Sequence, residues 1–502
     1  MTSIAFAFPS SQVRAAPLPV WAAVAMALMS GCLLALAYSL HPLWWAAWVA
    51  PVPVIAAALN GQPSWPRRLG ALAGLIAGST TFGYYTSVTG WPVAVGILLA
   101  RVWFWSGMVT LAVRSARRLP AWGAVFAWPA FAAGIETVVL AVSPHGSYGS
   151  LAYSQMDALP VIQVAALGGV PAIVFMVSCA GALGGLVVGR LMGAILDARD
   201  LVIAAALVTA IWGGVLVFGM LRLASPADGR SIPVRLVVTD QFAGEPRSWG
   251  AVWAAYAPAV EASSSPGAAI VLPEGIALLS ASAANAAALQ VATVARAHAE
   301  TILVGVEARD EAGHYADRAL VAGLDGRVSW YDKRHLVPGL EARDRPGSRL
   351  LLTSIGGGRA GVAICKDMHF PALGRENALQ GAGLMLVPAW DFVRDGWMSD
   401  RLTALRGVES GFAIARSTRD GVSSVSDRFG RILVEARSGS APTVLRYTLR
   451  LAATAHSTVY SRVGDLFGWT AAFCAVLMLI WMRARPNADA GERTRTDRAK
   501  RA

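Results

Sequence analysis

Three short segments end in side chains that together could carry out acyl transfer. Val271-Leu272-Pro273-Glu274-Gly275 sets a carboxylate just past an apolar run, and the segment Tyr331–Pro338 holds Lys333. Gly361-Val362-Ala363-Ile364-Cys365-Lys366-Asp367 places a thiol after a third apolar run. A thiol, a base and a cation are the parts from which a site forming a covalent acyl intermediate is built. The thiol is the only cysteine in its region, because Cys32, Cys179 and Cys474 all lie inside long apolar stretches, where cysteine behaves as a small apolar residue. A lone thiol is either a packing residue or a protected nucleophile. Lysine usage favours the second, since the 43 basic positions include only Lys333, Lys366 and Lys500 as lysines. An ammonium is a compact charge that can lose its proton when desolvated, which a guanidinium cannot do.

The elements that must position these groups follow from periodicity. Val234–Thr239, Ala269–Leu272, Ile302–Val306, Arg359–Ile364, Leu384–Val387 and Phe412–Ala415 are short apolar runs of the buried-strand type. Trp249–Ala262, Ala284–Ala299, Ala372–Gln380 and Met398–Glu409 have helical spacing. Asp325-Gly326 and Asp427–Gly430 carry turn residues between alternating runs and predict two hairpins. The segment is therefore expected to form α/β layers with mixed strand pairing.

The rest of the chain is of another kind. Hydrophobic residues make up 55% of the 502 and charged residues 15%, with the apolar excess lying before about residue 222 and near the C-terminus. Eight runs approach the roughly 20 residues that cross a bilayer: Val20–Tyr38, Leu43–Leu59, Leu69–Tyr85, Val93–Val113, Trp122–Val142, Val161–Val188, Leu201–Leu221 and Leu466–Met482. Arg14, Arg67-Arg68, Arg114/Arg117/Arg118, Arg190 with Arg199, and the tail from Arg483 alternate with loops that lack Lys and Arg. Positive loops stay cytoplasmic, so seven crossings deliver the middle segment to the outer side and the eighth returns the tail. The expected organisation is a membrane α-helical bundle (1–224), an extracytoplasmic catalytic domain (225–462), a final transmembrane helix (463–485) and a basic cytoplasmic tail (486–502). The net charge of +12 is then a topology signal and no nucleic-acid footprint. No metal-ligand cluster or phosphate-binding glycine loop is present, so neither metal nor cofactor is expected. Arg101 and Glu136 fall inside predicted spans, where ionisable groups are costly and are candidates for function.

The three chemistry-bearing segments, in this order, resemble the nitrilase superfamily, which implies a Glu-Lys-Cys triad on an α-β-β-α sandwich. Seven spans before such a domain and one after it resemble the apolipoprotein N-acyltransferases, and the likeness extends to Gly149–Asp157, Asp240–Trp249 and Thr458–Trp469. The resemblance implies that Glu274 is the general base, that Lys333 stabilises thiolate and oxyanion, and that Cys365 is the nucleophile. It also implies supporting roles for Trp249, Glu341, Lys366, Asp367 and Trp390. Glu341 either backs Lys333 or sits on a loop, and Lys366 is either a second cation or a solvent-facing side chain. The implied partners are a phospholipid acyl donor and a lipoprotein acceptor with a diacylglyceryl-cysteine, at the bacterial inner membrane with the catalytic domain on the periplasmic side. Two departures stand out: Lys366-Asp367 follows the nucleophile where the family tends to carry an aromatic and Glu, and Pro388-Ala389-Trp390-Asp391-Phe392 lacks the family's Asn. A membrane-anchored carbon–nitrogen hydrolase, or an acyltransferase for another amine, would use the same triad. A scaffold or transporter would have no need of it.

Overall fold

The computed structural model describes residues 18–226, 229–241, 248–309, 313–451 and 456–484. Arg14, the basic tail 486–502 and positions 242–247 of the Asp240–Trp249 segment lie outside the described residues.

The helical part runs α1 (Val20–Ala37), α2 (Trp44–Val49), α3 (Pro51–Leu59), α4 (Trp65–Thr89), α5 (Trp91–Arg118), α6 (Ala121–Val142), α7 (Leu159–Ile162), α8 (Ala165–Leu191) and α9 (Ala198–Leu223). Among the described residues six helices are long and apolar enough to cross a membrane: α1, α5, α6, α8, α9 and the last helix of the chain. The other two expected spans take different forms. Leu43–Leu59 is two short helices, with Pro51 starting the second. Leu69–Tyr85 lies within the 25-residue α4, whose first turn carries Arg67 and Arg68.

Close backbone approach holds this bundle together. A Cβ on Gly70 would come within 2.5 Å of the Trp105 carbonyl, and one on Gly185 within 2.7 Å of the Ile55 side chain. Small residues at such crossings are what lets helices pack where no water drives them together. Gly168 and Gly169 interrupt α8, the latter at φ 68° and ψ −163°. Beyond the break, the Val170 N–H donates to the Glu409 carboxylate at 3.0 Å.

The second part is built from β1 (Arg230–Val238), α10 (Trp249–Glu261), β2 (Ala269–Val271), β3 (Leu278–Leu279), α11 (Ala281–His298), β4 (Thr301–Arg309), β5 (Tyr315–Ala322), β6 (Val328–Asp332), β7 (Leu352–Ile355) and β8 (Gly358–Val362). It continues through α12 (Pro371–Leu379), β9 (Ala382–Trp390), α13 (Gly396–Ser410), β10 (Ala413–Arg419), β11 (Val422–Ser426), β12 (Ile432–Arg437) and β13 (Thr443–Leu451). After it come α14 (Val459–Val463) and the apolar α15 (Leu466–Ala484).

One sheet is ordered β13-β1-β2-β4-β5-β6, with β3 beside β4, and the other is ordered β12-β11-β10-β9-β8-β7. Val234, Leu236, Val271 and Leu303 of the first meet Val362, Leu384, Leu386 and Ala415 of the second in one buried layer. The outer face of the first sheet is covered by α10 and α11 through Val252, Tyr256, Ala287 and Val291. Leu373 of α12 packs with Met385, Val387 and Ile414 on the outer face of the second. The result is the α-β-β-α sandwich expected from the sequence. Strands β2 and β9 are apolar nearly throughout because parallel strands covered on both faces have no wet side. The two expected hairpins form at β5-β6 and β11-β12, and Gly326 takes the φ of +77° that the first turn needs.

Candidate active site

Glu274 follows β2 across Leu272-Pro273 and is 4% exposed. Its N–H donates to the Ala389 carbonyl of β9 at 3.3 Å, so it stands where the two sheets meet. Gly305 on β4 makes room, since a Cβ there would come within 2.5 Å of the Glu274 Cα. Lys333 continues β6 by one residue, and its N–H donates to the Asp317 carbonyl at 2.9 Å. That pairing sets the Lys333 and Asp317 side chains across from each other, facing between the sheets. The Lys333 ammonium, 1% exposed, donates to Glu274 Oε1 at 2.6 Å and Glu341 Oε1 at 2.6 Å and lies 3.0 Å from Asp317 Oδ2. Oxygens of the three carboxylates lie within 4.8 Å of one another, a spacing that could suit a metal ion. Here the ammonium already fills that position.

Cys365 follows β8 across Ala363-Ile364 and takes φ 41°, a left-handed conformation rare for a residue with a Cβ. This turn lifts the half-buried thiol off the strand end, and Sγ lies 3.5 Å from the Trp390 carbonyl. Burial, then the Glu274 charge, pushes the thiol pKa well above its ordinary value, while Lys333 pulls it down. Burial opposes the charge on Lys333, but Glu274, Asp317 and Glu341 together raise its pKa well above the usual lysine value. The Asp317 carboxyl is pushed well up by burial, with Glu274 beside it adding to the effect against the pull of Lys333. The resting site therefore holds a protonated thiol beside a charged lysine.

The remaining expected residues divide. Glu341 backs Lys333 directly and accepts from the Val337 N–H at 2.8 Å, which pins its loop. The Lys366 ammonium is buried against the Leu336 carbonyl at 2.6 Å, and burial lowers its pKa to about 8. Asp367, wholly buried, accepts from Tyr331 Oη at 2.8 Å, the Ile364 N–H at 3.1 Å, the Arg334 N–H at 3.1 Å and the His335 N–H at 2.9 Å. It ties the turn carrying the thiol to the loop carrying the lysine without reaching the cavity itself. Trp390 lines the cavity with its ring under the Arg419 guanidinium. Trp249 does not reach the cavity. It stacks on Trp253 in the outer helical layer and donates to Gln290 at 2.7 Å.

Several residues were missed. Asp317 could have been found by alternation, because Ala319 and Val321 point between the sheets and position 317 shares their side. The buried Asp391–Arg416 pair, at 2.5 Å, lies near enough for its charges to act on the thiol and left no local signal. A cavity of about 770 Å³ joins Glu274, Lys333 and Cys365 to Tyr84, Tyr85 and Arg101 of the helices and to Ser143, His145 and Tyr148 of the loop after α6. Tyr84 Oη donates to Asp395 at 2.8 Å, and Tyr148 stacks on His369 at 5.2 Å between centroids. Helices and sandwich thus share the walls of one chamber.

Residues 259–456 match the carbon-nitrogen hydrolase family, and residues 30–183 match the apolipoprotein N-acyltransferase N-terminal domain. An apolipoprotein N-acyltransferase of Geobacter metallireducens is 25% identical over 88% of this chain and 92% of its own length. One from Rhodopseudomonas palustris is 29% identical over 32% of this chain and 34% of its own. Among solved structures, a CN-hydrolase superfamily protein of Xanthomonas campestris is 24% identical, covering 44% of this chain and 91% of that one, at a TM-score of 0.38. An amidase from Nesterenkonia sp. is likewise 24% identical, over 46% and 94%, at 0.37. With a carbon-nitrogen hydrolase match over the sandwich, an acyltransferase match over the helices, and a relative aligned across both, the chain is a membrane protein belonging to the apolipoprotein N-acyltransferase family of the nitrilase superfamily.

Proposed function

We propose that this enzyme transfers an acyl chain from a phospholipid to the amino group of an apolipoprotein's N-terminal diacylglyceryl-cysteine through a thioester on Cys365. Glu274 takes the thiol proton as the sulfur attacks the ester carbonyl. The oxyanion is met by the Lys333 ammonium and the backbone N–H of Lys366. Glu274 then returns the proton to the departing glycerol oxygen, so lysophospholipid leaves and the acyl group stays on sulfur. The acceptor amine attacks the thioester, Glu274 takes its proton, and the thiol is restored as the amide forms. Glu341 and Asp317 hold Lys333 in place, and Asp367 fixes the nucleophile's turn.

The observation that carries this reading is the chamber shared by the triad and by α4 and α5, because a water-soluble amide substrate would need no wall of membrane helices. The arrangement proposed with it has 1–224 as the membrane bundle, 225–462 as the catalytic domain on the periplasmic side of the inner membrane, and 463–485 as the last span. The test begins with purified enzyme and phospholipid labelled in its acyl chain. The thioester on Cys365 is trapped, and its discharge by a diacylglyceryl-cysteine peptide is compared with discharge by water. Amide on the peptide, formed faster than free acid, is the expected result. Free acid alone would make the protein a hydrolase.

A further inference from the structure

Arg101 stands on α5, ten residues past Trp91, which starts that helix. It lines the chamber, and its guanidinium carbon lies over the Tyr38 ring at 3.6 Å from the centroid. Its Nη1 is buried without a hydrogen-bond partner, and among the described residues no carboxylate forms an ion pair with it. Glu136 on α6 is near enough for their charges to interact but makes no such contact. The other cations of the chamber are engaged: Lys333 by three carboxylates, Lys366 by the Leu336 carbonyl, and Arg343 by Glu307. Gly149, at φ 84°, makes room opposite, for a Cβ there would lie 3.3 Å from Tyr85 Oη and 3.9 Å from Arg101 Nη2.

A guanidinium with a free edge, a phenol beside it and a glycine across from it form a cradle for a planar or tetrahedral anion. Burying a guanidinium nitrogen without a hydrogen-bond partner is costly, which makes it a candidate for ligand binding. We infer that Arg101, with Tyr85, binds the phosphodiester of a glycerophospholipid while its ester carbonyl reaches Cys365 at the other end of the same chamber. The inference rests on the donor proposed above and adds the group by which that donor is recognised. A diglyceride has the same esters and lacks the charge, so it would forgo this contact.

Binding is measured on full-length Cys365→Ala protein in detergent, where no ester is consumed, by the quench of tryptophan fluorescence. The probes are dihexanoyl phosphatidylglycerol, dihexanoylglycerol and inorganic phosphate. A charge-assisted pair contributes enough that Arg101→Gln should weaken the phospholipid about tenfold or more. Diglyceride binding should be unchanged, which also reports that the variant is folded. Arg101→Lys, keeping the charge and losing the fork, should fall between. Equal weakening of both lipids, or no change in either, overturns the inference. So does inorganic phosphate binding as tightly as the phospholipid, since the site would then serve a free anion. Because the readout is affinity, a wild-type enzyme that failed to acylate the peptide would count against the proposed function and leave this result standing.

Discussion

The sandwich and the helical bundle position their shares of the chamber by opposite means. In the sandwich, place is fixed by charge and hydrogen bonds: one ammonium among three carboxylates, and one carboxylate, Asp367, accepting from the Tyr331 hydroxyl and three backbone N–H groups. In the bundle it is fixed by the absence of side chains, with Gly70 and Gly74 letting α4 lie on the backbone of α5. The difference follows from the solvent. A water-facing domain can bury charges if it pairs them, whereas lipid offers no hydrophobic gain between helices and leaves close contact as the cohesive force. Damage to one part should therefore be electrostatic, and damage to the other steric.

The largest effect is expected from Lys333→Met, which strands two buried carboxylates and a half-buried one. Removing one partner of such a cluster costs about 3–5 kcal/mol, so the thermal midpoint should fall steeply and no acyl-enzyme should form. An unfolding curve that matched wild type would mean the carboxylates do not depend on the lysine. Next comes Gly70→Val, whose added atoms meet the Trp105 carbonyl. Overpacking of this kind costs about 1–3 kcal/mol. It should slow thioester formation from phospholipid while sparing alkylation of Cys365 by iodoacetamide; equal loss of both would erase the contrast between the two regions.

Asp367→Asn tests the clamp. Hydrogen bonds to a charged group contribute about 1.5–3 kcal/mol each, so kcat should drop at least tenfold with little change in KM, as a displaced nucleophile predicts. A smaller effect is a matter of pH. Because burial lowers the Lys366 pKa to about 8, the folded protein binds fewer protons than the unfolded chain between about pH 8 and the ordinary lysine value. Stability should therefore gain from this group as pH rises through that window, and Lys366→Met should flatten the gain in chemical denaturation. The smallest expected effect is Tyr84→Phe, which deletes one hydrogen bond from helix to sandwich, at Asp395, and should cost about 1 kcal/mol.

The sandwich was legible because its signals are local. Apolar runs such as Leu384–Val387 and turn residues such as Asp325-Gly326 each specify their own element, and Glu274, Lys333 and Cys365 stand at the ends of such runs. Strands β7 and β13 were missed for the same reason. Their outward positions alternate with charged or polar residues, as in Arg446 and Arg450 of β13, so no apolar run marks them. Span counting was softer because Pro51 divides one apolar stretch into two short helices, and hydropathy alone does not register that break. Asp391, Arg416, Tyr84 and Asp395 were unreadable, since each acquires its meaning from a partner far away in the chain. Trp249 shows the converse: a recognisable motif position can serve packing in the outer layer, away from the cavity.

The carboxylate of Glu409 reaches from α13 into the break in α8 and caps a helix of the bundle, with Arg406 paired to it at 2.9 Å. Lifting the sandwich away would take the anion and its paired cation with it and leave the helix start at Val170 uncapped. The two parts are consequently joined at a point beyond the chamber, whose own lining includes the exposed Leu340 and Val393.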